Sequence, residues 1–241
     1  MRSIKTRGIV IKRMNYGEAD KILTIFTDRF GKIKAMAKGV RRISSKSAGN
    51  LEPYNLIDLQ LHEGKTFFTI TGAEIIECYD CDKKMSSSSR AVYTAEIVDK
   101  IFAEEEKNIT AFDLFVESLR NIAKSQNGLA LRLFELKILE QAGFKPDLEH
   151  CAQCKDKLKA GENYFNENSG EILCIDCANT STHSQISDEV IKLLRILQIK
   201  GMEICDKIKC ESKYILAAEN IIDKWLENAL ERELKSKKYL K

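Results

Sequence analysis

Cys151, Cys154, Cys174 and Cys177 are the residues of this 241-residue chain whose type and spacing carry the clearest chemistry. They read C-x2-C, nineteen residues, then C-x2-C. Two intervening residues let both sulfurs of a pair reach one tetrahedral ion, as in zinc ribbons. The spacer can fold back as a hairpin, with a turn within Asn163–Gly170 between Tyr164-Phe165 and Glu171–Leu173. Four thiolates leave no open coordination position, so the expected role of one zinc ion is to stabilise a module with few apolar residues of its own. Unrelated thiols or a redox couple are the alternatives.

The other reactive types form no comparable set. Cys78 and Cys81 make a third C-x2-C with no second pair and no βαβ context, which reads as buried or incidental thiols. Cys205 and Cys210 are less specific still, although all four could in principle surround a second ion. Glu63-Gly64-Lys65-Thr66 resembles the end of a phosphate-binding loop, but Leu59 stands where the motif needs glycine and a strand is expected next. His62, His150 and His183 sit in no triad, and Glu104–Glu106 is a solvated run. The expectation is a protein that is not an enzyme.

Charge gives the second signal. Net charge is +3, yet residues 1–50 hold 13 Lys and Arg against Glu18, Asp20 and Asp28, a local +10 that leaves −7 for the other 191 residues. Such asymmetry points to a polyanion-binding region, with an ordinary solvated basic surface as the alternative. Arg7, Lys12, Arg13, Lys21, Arg29, Lys32, Lys34, Lys38, Arg41, Arg42 and Lys46 could follow a phosphate backbone, and Tyr16, Phe26, Phe30 and Tyr54 could stack on bases. The start of the chain does not read as a signal peptide and no run suits a membrane span, so the expected compartment is the cytoplasm, where cysteines stay reduced.

These residues need elements to position them. Apolar segments at Gly8–Ile11, Lys21–Thr27, Gly31–Lys38, Ile57–His62 and Phe67–Ile76 predict five short strands, with Lys32, Lys34 and Lys38 on the face opposite Ile33, Ala35 and Ala37. Five strands in about 75 residues fit an OB-type barrel. An SH3-like barrel or small sandwich matches nearly as well. Helical spacing follows over Ser86–Glu106, Thr110–Ser125 (Thr110 and Asp113 as a capping box), Leu129–Gln141, Ser187–Ile199 and Ser212–Lys235. The fold class is therefore α+β: an OB-fold domain over 1–80, then a helical domain over 81–241 with an inserted zinc module at about 148–180.

TRGIVIKRMNYGEADKILTIFTDRFGKIKAMAKGVRR and LEPYNLIDLQL, then RLFELKILEQAGFKPDLEHCAQC and NSGEILCIDC, together resemble the bacterial RecO family in order and over most of the chain. Ser169 departs from the pattern where many members have a second glycine, which alters a turn and leaves the ligands untouched. The resemblance implies binding of single- and double-stranded DNA, annealing of complementary strands, and a complex with RecR. It also implies contact with the acidic C-terminal tail of single-strand-binding protein, so that RecA can be loaded on coated DNA in recombinational repair near the nucleoid. DNA contact carries over to Lys12, Arg13, Lys21, Lys38, Arg41 and Arg42, with Lys32 and Lys34 added from the strand pattern. Two other readings compete: a zinc-ribbon nucleic-acid binder acting on RNA or in transcription, and a thiol oxidoreductase using Cys78 and Cys81.

Overall fold

Alternating apolar residues build five strands in the first 77 positions: β1 (Ser3–Tyr16), β2 (Asp20–Thr27), β3 (Gly31–Ala37), β4 (Leu56–His62) and β5 (Phe68–Glu77). The computed structural model describes residues 3–43, 45, 47–79, 85–122 and 128–240. The strands pair in the order β1-β2-β3-β5-β4, with β4 returning antiparallel to β1, which is the OB-type ring expected. Its last seam is short, since β3 meets β5 in parallel only at Ala35–Phe68 and Met36–Thr69. Leu23, Ile25, Ile33, Ala35, Ile57, Leu59 and Leu61 fill the interior.

The outer face of β2 is buried as well. Phe26 lies against Phe102 (5.3 Å between centroids), Phe112 (6.1 Å) and Phe115 (6.4 Å). These rings come from the residue after α1 (Met85–Ile101) and from α2 (Ile109–Ile122), and the two helices pack on β1 and β2. Arg7 joins this packing, with its guanidinium over Phe112, 2.9 Å from Asp28 and 3.4 Å from Asp113. α2 starts two residues earlier than the proposed capping box requires, because Asn108 caps it by accepting from the Ala111 amide (2.9 Å).

Packing divides the chain into Met1–Lys124 with Leu234–Lys241, and Ser125–Glu233. The change from strand to helix falls near residue 80, but α1 and α2 belong with the strands because they cover β2.

In the second unit α3 (Leu129–Gln141) has ten buried residues out of thirteen. It packs against α5 (Ser212–Leu230) and α4 (Asp188–Ile199). Arg132 of α3 is buried and reaches Glu135 (3.0 Å), Glu219 (3.4 Å) and Asp223 (3.8 Å), so its charge enters the helix interface already compensated. Gly143 stops α3 in the left-handed region (φ 87°), which lets the Phe144 amide reach the Leu139 carbonyl at 2.8 Å. A three-stranded sheet in the order β7-β6-β8 completes the unit: β6 (Asn163–Asn166), β7 (Glu171–Cys174) and β8 (Ser184–Ile186). Among the described residues no helix is long and apolar enough to cross a membrane.

The last residues of the chain are fastened to α1. Glu96 accepts from the amides of Lys235 (3.0 Å) and Ser236 (2.7 Å) and from the Ser236 hydroxyl, with Lys100 at 2.9 Å. Burial opposes ionisation of Glu96, but these donors outweigh it and bring the carboxyl down to about 2. Its folded pKa is depressed, so its contribution is complete above about 4.5, its ordinary value, and is lost as pH falls through about 2. E96Q should therefore cost about 1–2 kcal/mol at neutral pH, with the gap to the parent closing between about pH 4.5 and 2. Denaturant titrations across that range test this, and an equal gap at both ends would show that ionisation plays no part.

Candidate nucleic-acid interface and metal centre

A β-bulge sets up the basic surface. Val10 pairs with Ile25 and Lys12 with Thr24, so Ile11 is the extra residue of β1. Gly8 to Ile11 are buried in succession, and from Lys12 through Glu18 every residue is exposed. The end of β1 thus runs past its last pairing with β4 at Ile9–Leu56 and lies in water on both faces, hairpinned to a β2 that stays paired with β3 as far as Lys21.

Lys12, Arg13 and Tyr16 (50% exposed) stand on this hairpin, and Lys21 is half-buried on its second strand. Lys38, Arg41 and Arg42 are exposed just after β3, at the same end of the barrel. Asp20 accepts from the Gly39 amide (2.7 Å), and Arg41 donates to the Gly17 carbonyl (3.1 Å), which ties this segment to the hairpin turn. Arg13 pairs with Glu52, and Lys21 lies 4.0 Å from the same carboxylate. No carboxylate among the described residues pairs with Lys12, Lys38, Arg41 or Arg42.

The two remaining lysines of the expected set lie elsewhere. Lys32 is buried, 3.5 Å from the Asp99 carboxylate and donating to the Asp99 carbonyl, so it holds α1 to the barrel instead of meeting solvent. Lys34 is exposed in the middle of β3 and pairs with Glu104. Of the expected stacking residues, Phe26 is core, Phe30 packs on Phe68 at 5.5 Å, and Tyr54 is half-buried with a left-handed φ of 67°. Tyr16 alone of the four is exposed. Met14, 57% exposed on the same hairpin, is an apolar contact that sequence reasoning passed over. Lys46 lies outside the described residues.

The four cysteines converge. Their Sγ atoms all lie within 4.8 Å of one another, and they form the cluster of potential metal ligands found among the described residues. Cys154 and Cys174 have their sulfurs 3.7 Å apart. A tetrahedron with metal–sulfur bonds of about 2.3 Å has edges of about 3.8 Å, so the donor set fits such an ion. Each pair sits in a tight knuckle: the Lys155 amide donates to the Cys151 carbonyl (3.0 Å), and the Cys177 and Ala178 amides to that of Cys174 (3.2 and 2.9 Å). The Ala152 amide bonds the Ile172 carbonyl (2.9 Å), which joins the first knuckle to β7.

Protonation of the thiols is uneven. Burial opposes ionisation of Cys151, but amide donors from Cys174, Cys154 and Gln153 outweigh it and bring the thiol down to about 6. Burial and the neighbouring thiols push Cys177 up to about 12. A cluster that accepts one negative charge and resists the next needs a cation for full ionisation. His150 stays outside this shell, bound to Asp147 at 3.2 Å. Cys78 is disulfide-bonded, a correction to its reading as a thiol, and Cys81 lies outside the described residues. Cys205 is buried, Cys210 half-buried, and neither joins the cluster.

The hairpin between the cysteine pairs docks on α5. The Trp225 indole donates to the Gly170 carbonyl (2.7 Å) and meets Phe165 edge-on (6.4 Å), while Asn228 donates to the Ser169 carbonyl (2.8 Å). A Cβ at Gly170 would stand 2.8 Å from Asn228 and 3.2 Å from Trp225, at a φ of 74°, so this position takes glycine on two counts. Ser169 is exposed and reaches Glu171 (2.7 Å), away from the ligands. Trp225 is the chain's single tryptophan. Removing the metal by chelation should shift its emission to the red and lower the thermal midpoint, and C174S should do both without chelator. Unchanged emission and midpoint would mean that the hairpin holds without an ion.

An OB-type barrel followed by a helical unit with a four-cysteine hairpin defines the structural class. A family model described as "Recombination protein O N terminal" matches residues 1–79, and one described as "Recombination protein O C terminal" matches 84–238. The chain is 34% identical over 234 residues to a DNA repair protein RecO of Dehalococcoides mccartyi, covering 96% of this chain and 92% of that one. It is 32% identical over 242 residues to the protein of the same description from Nocardioides sp., covering 98% of each. For that of Thermoanaerobacter sp. the figures are 30% over 246 residues, 100% of this chain and 98% of the relative. The chain belongs to the recombination protein O family.

Proposed function

We propose that the chain is a non-enzymatic DNA-binding mediator of recombinational repair. It anneals complementary single strands and, with RecR, helps load RecA onto DNA coated by single-strand-binding protein, whose acidic tail it contacts. In this reading an OB-fold domain over 1–80 supplies the DNA surface. A helical domain over 81–241 carries one structural zinc ion on Cys151, Cys154, Cys174 and Cys177. The observation that carries it is the hairpin end of the barrel. There Lys12, Lys38, Arg41 and Arg42 stand exposed with no carboxylate partner among the described residues, beside Arg13, Lys21 and an exposed Tyr16.

Annealing needs no bond-making group. Two strands repel through their phosphates, and a multivalent cationic face lowers that repulsion while raising local strand concentration. The zinc ion, when bound, closes the module and supplies no water for hydrolysis, since its shell is filled by thiolates.

K38E/R42E tests the surface without touching the Arg41–Gly17 bond. Binding of single-stranded DNA should weaken by at least tenfold at moderate salt, and the slope of log K against log salt should fall by about 2. Annealing in the presence of single-strand-binding protein should slow in parallel. An unchanged slope would remove the hairpin end as the interface, and a preference for RNA over DNA in direct competition would favour the RNA-binding reading.

A further inference from the structure

At the end of the barrel away from the hairpin, the wall opens. Because β3 and β5 pair only at Ala35–Phe68 and Met36–Thr69, the start of β3 diverges from the β4–β5 loop. A cleft of about 430 Å³ lies between them, with the Arg29-Phe30 turn, Phe67 and Lys107 among its walls. A second, of about 750 Å³, shares Ile4, Arg29, Phe30 and Glu63 with the first, so the two are one continuous depression. Its volume suits a small organic ligand or a nucleotide.

Its chemistry is aromatic and cationic together. Phe30 packs against Phe68 at 5.5 Å and is half-buried, with its neighbour Phe67 also half-buried at the wall. The Arg29 guanidinium lies over the Phe30 ring at 5.7 Å and donates to the Lys5 carbonyl at 2.8 Å, which fixes its direction. Arg29, Lys65 and Lys107 are exposed, and none has a carboxylate partner among the described residues. Of the acids that line the cleft, Glu104 is taken by Lys34, leaving Glu63 and Glu105. Aromatic faces flanked by unpaired cations suit a base with phosphates on either side.

Distance separates this depression from the hairpin end. β2 and β3 run from one to the other, and eight strand residues span about 25 Å. A contact here is therefore additional to the surface proposed above and not an extension of it. We propose that the cleft holds a second segment of single-stranded nucleic acid, with one base against Phe30 and Phe67 and flanking phosphates on Arg29, Lys65 and Lys107. Two separate strand sites on one barrel would let a single chain bring two strands together. This rests on the reading of the hairpin end as a nucleic-acid interface.

Native mass spectrometry of the full chain with a thymidylate octamer provides the test, an octamer lying within the site size of a single OB fold. The intact chain should bind two octamers, and R29E/K65E one, with the affinity of the remaining site within about twofold. K38E/R42E should also keep one. An octamer carrying 5-iodouracil should photo-cross-link to Phe30 or Phe67 in the intact chain and in K38E/R42E, but not in R29E/K65E. One octamer on the intact chain, or two on R29E/K65E, would overturn the second site. Cross-links elsewhere would overturn the base contact. If K38E/R42E binds two octamers as the parent does, the hairpin reading fails while the cleft stands on its cross-link.

Discussion

The burial of Phe26 under Phe102, Phe112 and Phe115 is the constraint around which the barrel is arranged. It makes the outer face of β2 an interior, so that strand is apolar on both sides and cannot carry free charge along its middle. Cations encoded in the first fifty residues must then leave at the strand ends or enter compensated. Arg7 and Lys32 take the second course: one lies between Asp28, Asp113 and the Phe112 ring, the other against Asp99. Lys34, midway along β3, is paired with Glu104, and the other cations among the described residues of this stretch gather toward the two ends of the barrel. A charged face of this kind costs stability through self-repulsion, and the helices that bury Phe26 are what offset that cost.

The second unit answers a different constraint. The segment around the cysteines has too little apolar area to fold by burial alone, and it is held at two places. One is the thiol cluster itself, where ionisation of all four sulfurs calls for a cation. The other is Trp225, which receives the hairpin turn through Gly170 and Phe165. The two are coupled through β6 and β7, since the strand that ends at Cys174 begins beside the turn that Trp225 grips. Loss of a metal held by this cluster should therefore be felt at α5, several elements away from the sulfurs in sequence.

Much of this was legible from the residues. C-x2-C spacing located the cysteine cluster that could hold a metal because the motif is a local geometric requirement. α3 fell within its expected bounds because so wide an apolar face, ended by Gly143, has few other solutions. What escaped notice depended on packing. Period two put Lys32 on the outer face correctly, but alternation cannot tell an outer face in water from one covered by α1. The change of periodicity near residue 80 is real, yet the rings of α2 look the same in sequence whichever core they join. β8 has three residues, two of them exposed, and gives almost no apolar signal. The capping box at Thr110 lost to Asn108 because both are good caps, and Asp113 was taken by Arg7.

The hairpin shows why a bulge matters to function. Had β1 continued in strict alternation past Val10, Lys12 would pair one position out of its present register, and the inward and outward sides would exchange. Arg13 would then face where Lys12 does, beside Glu52 no longer. The extra residue, Ile11, marks the step: the apolar side chains of Ile9–Ile11 stay in the core and the residues from Lys12 on stand in water. Exposure of both faces of β1 accompanies the same step, because β4 pairs with β1 only as far as Ile9 and leaves its outer edge uncovered beyond, while β2 stays paired with β3. A ribbon so placed offers side chains of both parities to a ligand, so a short strand presents Lys12, Arg13, Met14 and Tyr16 together. The basic surface is thus a product of one backbone irregularity as much as of composition.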